Sequence, residues 1–485
     1  MMIKSAGIYF ASRVSAALCG LLAVAIYTRL MTPESYGVFS LVMTGAMTLF
    51  AVCFHWIQSA VLRFLPAEDG VRPPSLGAAL AGFVVVAAVV GLLAGVVVLH
   101  ELVPVSADLV LLGVLVATAY AGFEISLAVV HARQRPAAYA LVLAARAVGS
   151  LLLGSLALIA GYGVAGLLVG VLLAHCLPAI AVAIHWWHRL VVQRFDWPGV
   201  KRMATFGLPL AIVGIAASVI GISDRYLLAL LVGVDAAGTY AAPYDLAQRS
   251  LQIVMLSAFL ALSPAVFRSF ELDDGTGLQR QLLQQARLLL VSALPVATIM
   301  AAAAPLIARL LFGAEFRDAA AVLIPWIVVA TLVQGIQSYY YSYCFTLAKR
   351  TLANAGIVIA GALLNIVLNL LLIPMFGPLG AAAATLASLV VVLAATLILT
   401  RHWLPLPWPT ADMLKIVGAC LAAAPFIGMA ARAPDLLSAV GLTGLAAVIL
   451  VALLVAIDAA ATRTAALDFL AARKRRLSQT MVTQS

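Results

Sequence analysis

The sequence predicts an all-α polytopic membrane protein of 14 transmembrane helices, and three observations carry that prediction. The 485 residues are 65% hydrophobic and 10% charged, with a mean hydropathy of +1.12, well beyond any water-soluble globular domain. Crossing about 30 Å of hydrocarbon takes roughly 20 apolar residues per helix. Segmentation on that length gives fourteen spans, centred near residues 18, 50, 87, 120, 150, 175, 218, 252, 299, 332, 363, 390, 422 and 447. With a cytoplasmic N-terminus, the tails and inner loops hold 21 of the 29 Lys and Arg residues, and the outer loops only Arg29, Arg309, Arg317 and Arg432. A miscounted span would invert every later loop and scramble that bias, so both termini are expected inside.

Composition also excludes functions. The net charge of +10 would suggest nucleic acid in a soluble protein, but here the basic residues sit in short loops between apolar runs, where they orient a chain in a bilayer. No nucleic-acid partner is expected. Cys19, Cys53, Cys176, Cys344 and Cys420 all lie within apolar runs without a CxxC, so neither disulfides nor a zinc site is indicated. The first apolar run is long enough to span and carries Arg13, so it reads as a retained helix and not a cleaved signal. The longest loops, near residues 63–75, 188–204 and 271–285, leave no room for a soluble domain. No nucleophile triad, phosphate loop or metal-ligand cluster appears, and an enzyme is not expected.

An internal repeat organises the chain. Pro33-Glu34-Ser35-Tyr36-Gly37 at one hairpin turn and Ala60-Val61-Leu62-Arg63 at its end match Val234-Asp235-Ala236-Ala237-Gly238 and Ala265-Val266-Phe267-Arg268 some 200 residues later. The turns Tyr162-Gly163-Val164-Ala165-Gly166 and Phe376-Gly377-Pro378-Leu379-Gly380 match likewise. Spans 1 to 6 (residues 1–190) and 7 to 12 (residues 191–402) therefore read as two six-helix lobes. Six spans are an even number, so the pseudo-two-fold axis runs along the membrane normal. Spans 13 and 14 (residues 403–460) and a basic tail (residues 461–485) fall outside the repeat. The tail reads either as an amphipathic contact for anionic lipid or as a solvated end that fixes topology.

Seven charged residues lie inside spans: Arg13, Glu124, Arg146, Asp224, Arg225, Asp245 and Arg249. Residues 225 and 245 are equidistant from the turn at Asp235, so Arg225 can meet Asp245; Asp245 also precedes Arg249 by one helical turn, the favourable order. The same arithmetic about Arg135 lets Glu124 meet Arg146, an ion pair expected to be structural. Arg249, near the middle of its span, is expected to face a watery cavity and to imply an anionic substrate. Arg13 lies some six residues into its span, roughly 9 Å at helical rise, and can either snorkel to the surface or join that cavity.

The run from Thr351 to Thr400 contains no Asp, Glu, Lys, Arg or His, yet holds Asn365 and Asn369 deep within it. Pro374 is expected to end its first helix, with FGPLG as a tight turn. The two amides share a helix face. With Asp224, and with Thr385 from the next span, they could ligate a small cation through oxygen. Asp224 could instead pair with an arginine, and the amides could be interhelical glue. Tyr339, Tyr340, Tyr341 and Tyr343 read as an interfacial belt, or as a platform for sugar rings; His185, Trp186, Trp187 and His188 read as an interface anchor.

Three stretches, YTRLMTPESYGVFSLV (Tyr27 to Val42), ISDRYLLALLVGVDAAGTYAAPYDLA (Ile222 to Ala247) and LNIVLNLLLIPMFGPLGAAAAT (Leu364 to Thr385), resemble the polysaccharide-transport branch of the multidrug/oligosaccharidyl-lipid/polysaccharide (MOP) exporter superfamily, which includes O-antigen flippases. The resemblance implies a flippase that carries undecaprenyl-pyrophosphate-linked oligosaccharide across the bacterial inner membrane by alternating access. Arg249, Arg13 and Arg225 would attract the pyrophosphate, and spans 13 and 14 would form a groove for the lipid tail. It further implies membrane lipids, a polysaccharide polymerase and chain-length machinery as partners, and a monomer is expected. In the related lipid II flippases a sodium ion is held on spans 7 and 11. Asp224, Asn365 and Asn369 are similarly placed, with Asn369 standing where an acid is expected. No cofactor is implied beyond Na+ or H+ as a coupling ion. The alternatives are a cation-coupled multidrug exporter of the same superfamily, which would favour twelve spans and an acidic cavity, and a lipid II-type flippase.

Overall fold

The computed structural model describes residues 2–68, 74–100, 106–187, 197–272, 275–401, 403, 404 and 406–458. The basic tail expected at residues 461–485, His188, and the side chains of Trp186 and Trp187 lie outside them. All regular structure among the described residues is helical: α1 (Met2–Leu30), α2 (Pro33–Leu49), α3 (His55–Phe64), α4 (Pro74–Leu99), α5 (Ala107–Ala132), α6 (Pro136–Ile159), α7 (Gly163–Val182), α8 (Trp197–Leu231), α9 (Val234–Glu271), α10 (Gly275–Ala302), α11 (Ala304–Leu311), α12 (Arg317–Ile336), α13 (Ser342–Leu347), α14 (Thr351–Phe376), α15 (Pro378–Thr400), α16 (Thr410–Ala431) and α17 (Leu436–Ala456). Thirteen helical segments among them are long and apolar enough to cross a membrane. The remaining expected span, centred near residue 218, falls on the unbroken helix α8, whose side chains from 209 to 221 lie outside the described ones. The protein is an all-α polytopic membrane protein, as helices are the way a lipid-facing chain satisfies its own backbone.

Local chemistry sets the turns. At α2, Thr32 caps the first turn by accepting from Ser35 N at 3.3 Å, with Pro33 at the first helical position. The α14–α15 turn corrects one expectation: α14 runs through Pro374 and ends at Phe376. Pro374 lies in the last turn, so it forfeits one amide hydrogen bond without breaking the helix; Gly377, at φ 57°, ends it and donates its N–H to Ile373 O at 2.8 Å. Pro378 then starts α15.

The tyrosines lie at a local irregularity. A π-helical turn, Gln337–Tyr341, inserts between α12 and α13 and rotates the face that follows it. Tyr340 is fully buried and bonds Pro407 O, Tyr341 stacks on Trp408 at 5.7 Å, and Tyr343 stacks on Phe259 at 5.5 Å. Tyr340 and Tyr343 are thus packed inside, whereas the Tyr341–Trp408 stack lines a cleft of about 440 Å³ together with Arg401.

The chain forms two compact units, one of Met1–Leu246, Leu311–Ala319 and Val358–Ser388, the other of Ala247–Leu310, Ala320–Ile357 and Leu389–Ser485. Within the first, α2 and the start of α9 cross at backbone distance. A side chain on Gly37 would collide with the carbonyl of Val234, and one on Gly238 with the carbonyl of Pro33. Gly37 and Gly238 are equivalent positions of the sequence repeat, as are Pro33 and Val234. The contact is thus reciprocal, as a two-fold relation between the copies requires. Small residues permit this approach, and dispersion along the crossing holds it in lipid.

Substituting Gly37→Val or Gly238→Val should therefore lower stability in detergent by at least the ~1–3 kcal/mol of an overpacked contact. Gly356→Ala, where a Cβ meets open space, should leave the unfolding temperature unchanged; equal effects at all three sites would show that the crossing is not close-packed.

Candidate functional site

Four helices of the first unit meet at one buried polar cluster. Asp224 on α8 is fully buried, and its carboxylate accepts three hydrogen bonds: from Asn369 Nδ2 on α14 at 2.6 Å, Thr385 Oγ1 on α15 at 2.5 Å and Tyr240 OH on α9 at 2.7 Å. Asn369 Nδ2 also donates to Asn365 Oδ1 at 3.1 Å, which takes the Ser223 hydroxyl at 2.9 Å. Asn365 Nδ2 reaches Thr385 Oγ1 at 3.3 Å and Ser388 Oγ at 3.5 Å. The local fold explains the meeting. Asn369 and Thr385 lie eight residues to either side of Gly377 and so share a depth in the hairpin, and Asn365 is one turn from Asn369 on the same face.

The structure thus brings together Asp224, Asn365, Asn369 and Thr385. It adds Tyr240, Ser223 and Ser388, which sequence reasoning missed. The signal for Ser388 was its i, i+3 spacing from Thr385; Tyr240, one of several tyrosines, gave none.

The electrostatics of the cluster are unusual for the interior of a bilayer. Every donor to Asp224 is neutral, and among the described residues no Lys, Arg or His lies within ion-pair distance of it. Three hydrogen bonds solvate the carboxylate without cancelling its charge. Asn369 Oδ1 is buried with no hydrogen-bond partner, an orphaned acceptor one atom away from an amide nitrogen that faces the carboxylate. Carboxylate, amide and hydroxyl oxygens are the hard donors that suit an alkali or alkaline-earth cation. Among the described residues no group of three His, Cys, Asp or Glu side chains comes together, so the transition-metal ligand sets are absent there.

Arg225, next in sequence, faces away into a second enclosure. Its Nη2 lies 2.5 Å from Asp245 Oδ1, and its Nη1 donates to Ser40 Oγ and Thr44 Oγ1, each at 3.0 Å. The guanidinium carbon is 5.4 Å from the centre of the Tyr244 ring, and Nε is buried without a partner. Ser40 and Thr44 are one turn apart on α2, so a single arginine ties α2, α8 and α9 together. Planar, five-donor arginine is suited to that role where lysine is not.

The expected Glu124–Arg146 ion pair is corrected. Glu124 accepts instead from Gln58 Nε2 at 3.0 Å, and the Arg146 guanidinium lies over the Phe123 ring at 5.4 Å with its Nε buried and unpartnered. Arg146 thus makes a cation–π contact with Phe123, and no direct ion pair with Glu124 forms. Arg146 and Arg13 both remain within Coulombic range of Glu124. Arg13 is exposed and donates from Nε to Tyr139 OH at 3.2 Å. Arg249 sits half-buried on α9.

These features define a multi-pass membrane protein, with charged residues held inside its spans and no soluble domain among the described residues. In structure it is similar to the lipid II flippase MurJ in an inward closed conformation, at 13% identity and a TM-score of 0.74 over 92% of this chain and 98% of that one. It is also similar to a single-site mutant of the Vibrio cholerae MATE transporter VcmN (14% identity, TM-score 0.54, 82% and 95% of the two chains). A third similarity is to a MOP superfamily transporter from Pyrococcus furiosus (13%, 0.51, 82% and 93%). No curated protein matches the sequence. Residues 2–270 match the model of the polysaccharide biosynthesis protein family, and the chain belongs to that family. Its fold is the one shared by these flippase and MATE transporter structures.

The Arg225 enclosure can be tested by a double-mutant cycle. Arg225→Ala and Asp245→Ala should each cost about 3–5 kcal/mol by stranding the partner's charge, and the double variant should cost no more than either alone. Additive losses in thermal or denaturant unfolding would show that the two side chains act independently.

Proposed function

We propose that the protein flips undecaprenyl-pyrophosphate-linked oligosaccharides from the inner to the outer leaflet of a bacterial plasma membrane by alternating access, as a step in assembling a surface polysaccharide such as O-antigen, capsule or exopolysaccharide. The observation that carries this reading is membership of the polysaccharide biosynthesis family in a chain whose described residues are almost wholly apolar helix. The fold shared with a lipid II flippase supports it. An anionic pyrophosphate calls for cations, and the basic residues within spans outnumber the acids. On this reading Arg249 and Arg13 attract the headgroup. Arg225 is left out of that set, because Asp245, Ser40 and Thr44 already cover its guanidinium. Both termini are cytoplasmic, as the bias of basic residues favours, and spans 13 and 14 carry the lipid tail.

Coupling on this reading runs through Asp224. A half-turn of the Asn369 amide about Cβ–Cγ would bring its orphaned Oδ1 to the place its Nδ2 now holds, between Asp224 and Asn365. The donor-bridged cluster would then become an oxygen set for Na+, or an acceptor for a proton on Asp224. Either ion would supply the positive charge that the helices do not.

Deletion of the gene should block surface polysaccharide and leave lipid-linked repeat units on the cytoplasmic side. Complementation by wild type should restore export, and Arg249→Ala, folded and inserted, should reduce it at least tenfold. Normal glycan export with raised drug sensitivity would replace this reading by a multidrug exporter.

A further inference from the structure

The second unit holds a cleft of about 620 Å³ between the later half of α10, the start of α11, α12 and α16, within the ~300–1,000 Å³ of ordinary ligand sites. Its walls are small or apolar: Ala301 on α10, Pro325 on α12, Ala424 and Gly428 on α16. The Thr298 hydroxyl in the wall is spent on Leu294 O at 2.8 Å. At its rim stand Leu421 and Val329, two of the most exposed apolar side chains of their helices. One cation closes its end. Arg432 lines the cleft as the residue that caps α16; it is exposed and its guanidinium has no partner among the described residues. Arg309 of α11 contrasts with it, donating Nη1 to Ala433 O at 2.9 Å and Nη2 to Pro434 O at 3.1 Å. That clamp fixes the backbone directly after Arg432 and so sets where the free guanidinium stands.

We propose that this cleft seats one acyl chain of an anionic diacyl phospholipid, with its phosphate bound by Arg432. Along α16 the cleft runs from Val417 to Arg432, about 22 Å at helical rise. That exceeds the ~15 Å half-thickness of a hydrocarbon core, so a chain anchored at Arg432 can lie in it full length. A polyprenyl tail, much longer than one leaflet, would leave most of its length outside. An apolar slot with a single arginine at headgroup level selects a phosphate with no compensating amine, since a zwitterionic headgroup brings its own cation. The site is separate from the Asp224 cluster and stands whether or not the transport reading does.

The test uses the full-length protein in nanodiscs and in detergent. Retained lipid is read by native mass spectrometry, and thermal stability is titrated with phosphatidylglycerol or phosphatidylcholine of identical chains. Wild type should retain and be stabilised by phosphatidylglycerol at concentrations roughly tenfold below those needed for phosphatidylcholine, the selectivity one charge-assisted hydrogen bond supplies. Arg432→Gln should erase that preference while its unfolding temperature in phosphatidylcholine stays at the wild-type value, and Ala424→Phe, which fills the slot, should lose the retained lipid. An unchanged preference in Arg432→Gln, or equal binding of both lipids by wild type, would overturn the proposal. So would displacement of phosphatidylglycerol by undecaprenyl phosphate at equal concentration, which would make the cleft a subsite for the transported lipid.

Discussion

A carboxylate inside a bilayer has to be answered by other groups, and the way Asp224 is answered organises the helices around it. Its three neutral donors come from α9, α14 and α15, so those helices are held to α8 by one side chain. Each donor lowers the cost of burying the charge, and none removes it. Loss of any of them would leave the carboxylate less solvated and the donor's helix less tethered. This is a polar network whose members depend on one another more than pairwise counting suggests.

The neighbouring residue shows the other solution. Arg225 is paired with Asp245 and further held by Ser40 and Thr44, whereas Asp224 meets only neutral donors. Adjacent positions on α8 therefore serve opposite ends. One is a strut to α2 and α9, whose backbones already touch at Gly37 and Gly238; the other is a site with an orphaned acceptor beside it. In the proposed transport cycle an ion that binds at Asp224 would act on α9, α14 and α15 together, and Tyr240 lies only two residues past Gly238 on α9. A change at the ion site would thus reach the glycine crossing through a single turn of helix.

Much of this was legible in the sequence, because lipid simplifies the rules. Span positions follow from apolar length, and all fourteen expected centres fall within helices. The meeting of Arg225 with Asp245 follows from equal distance to a turn. The same arithmetic did not yield a direct pair for Glu124 and Arg146: equal depth brings two residues to one level without fixing their partners, which are Gln58 and the Phe123 ring. It was silent on Tyr240, Ser40 and Thr44, since contacts between non-consecutive helices depend on packing that no hairpin encodes. Nor does composition signal the π-helical turn Gln337–Tyr341, which adds a residue to the repeat and rotates the side chains after it.

The most direct measurement is the unfolding temperature of the purified protein, wild type and Asp224→Asn, titrated with sodium chloride against choline chloride at constant ionic strength. The account predicts a saturable stabilisation of wild type by sodium, about 1.4 kcal/mol at ten times the dissociation constant. Asp224→Asn should show no response, because the amide keeps the shape of the cluster and removes its charge. A sodium response that survives Asp224→Asn, or a wild type whose stability responds neither to sodium nor, relative to Asp224→Asn, to pH, would contradict it.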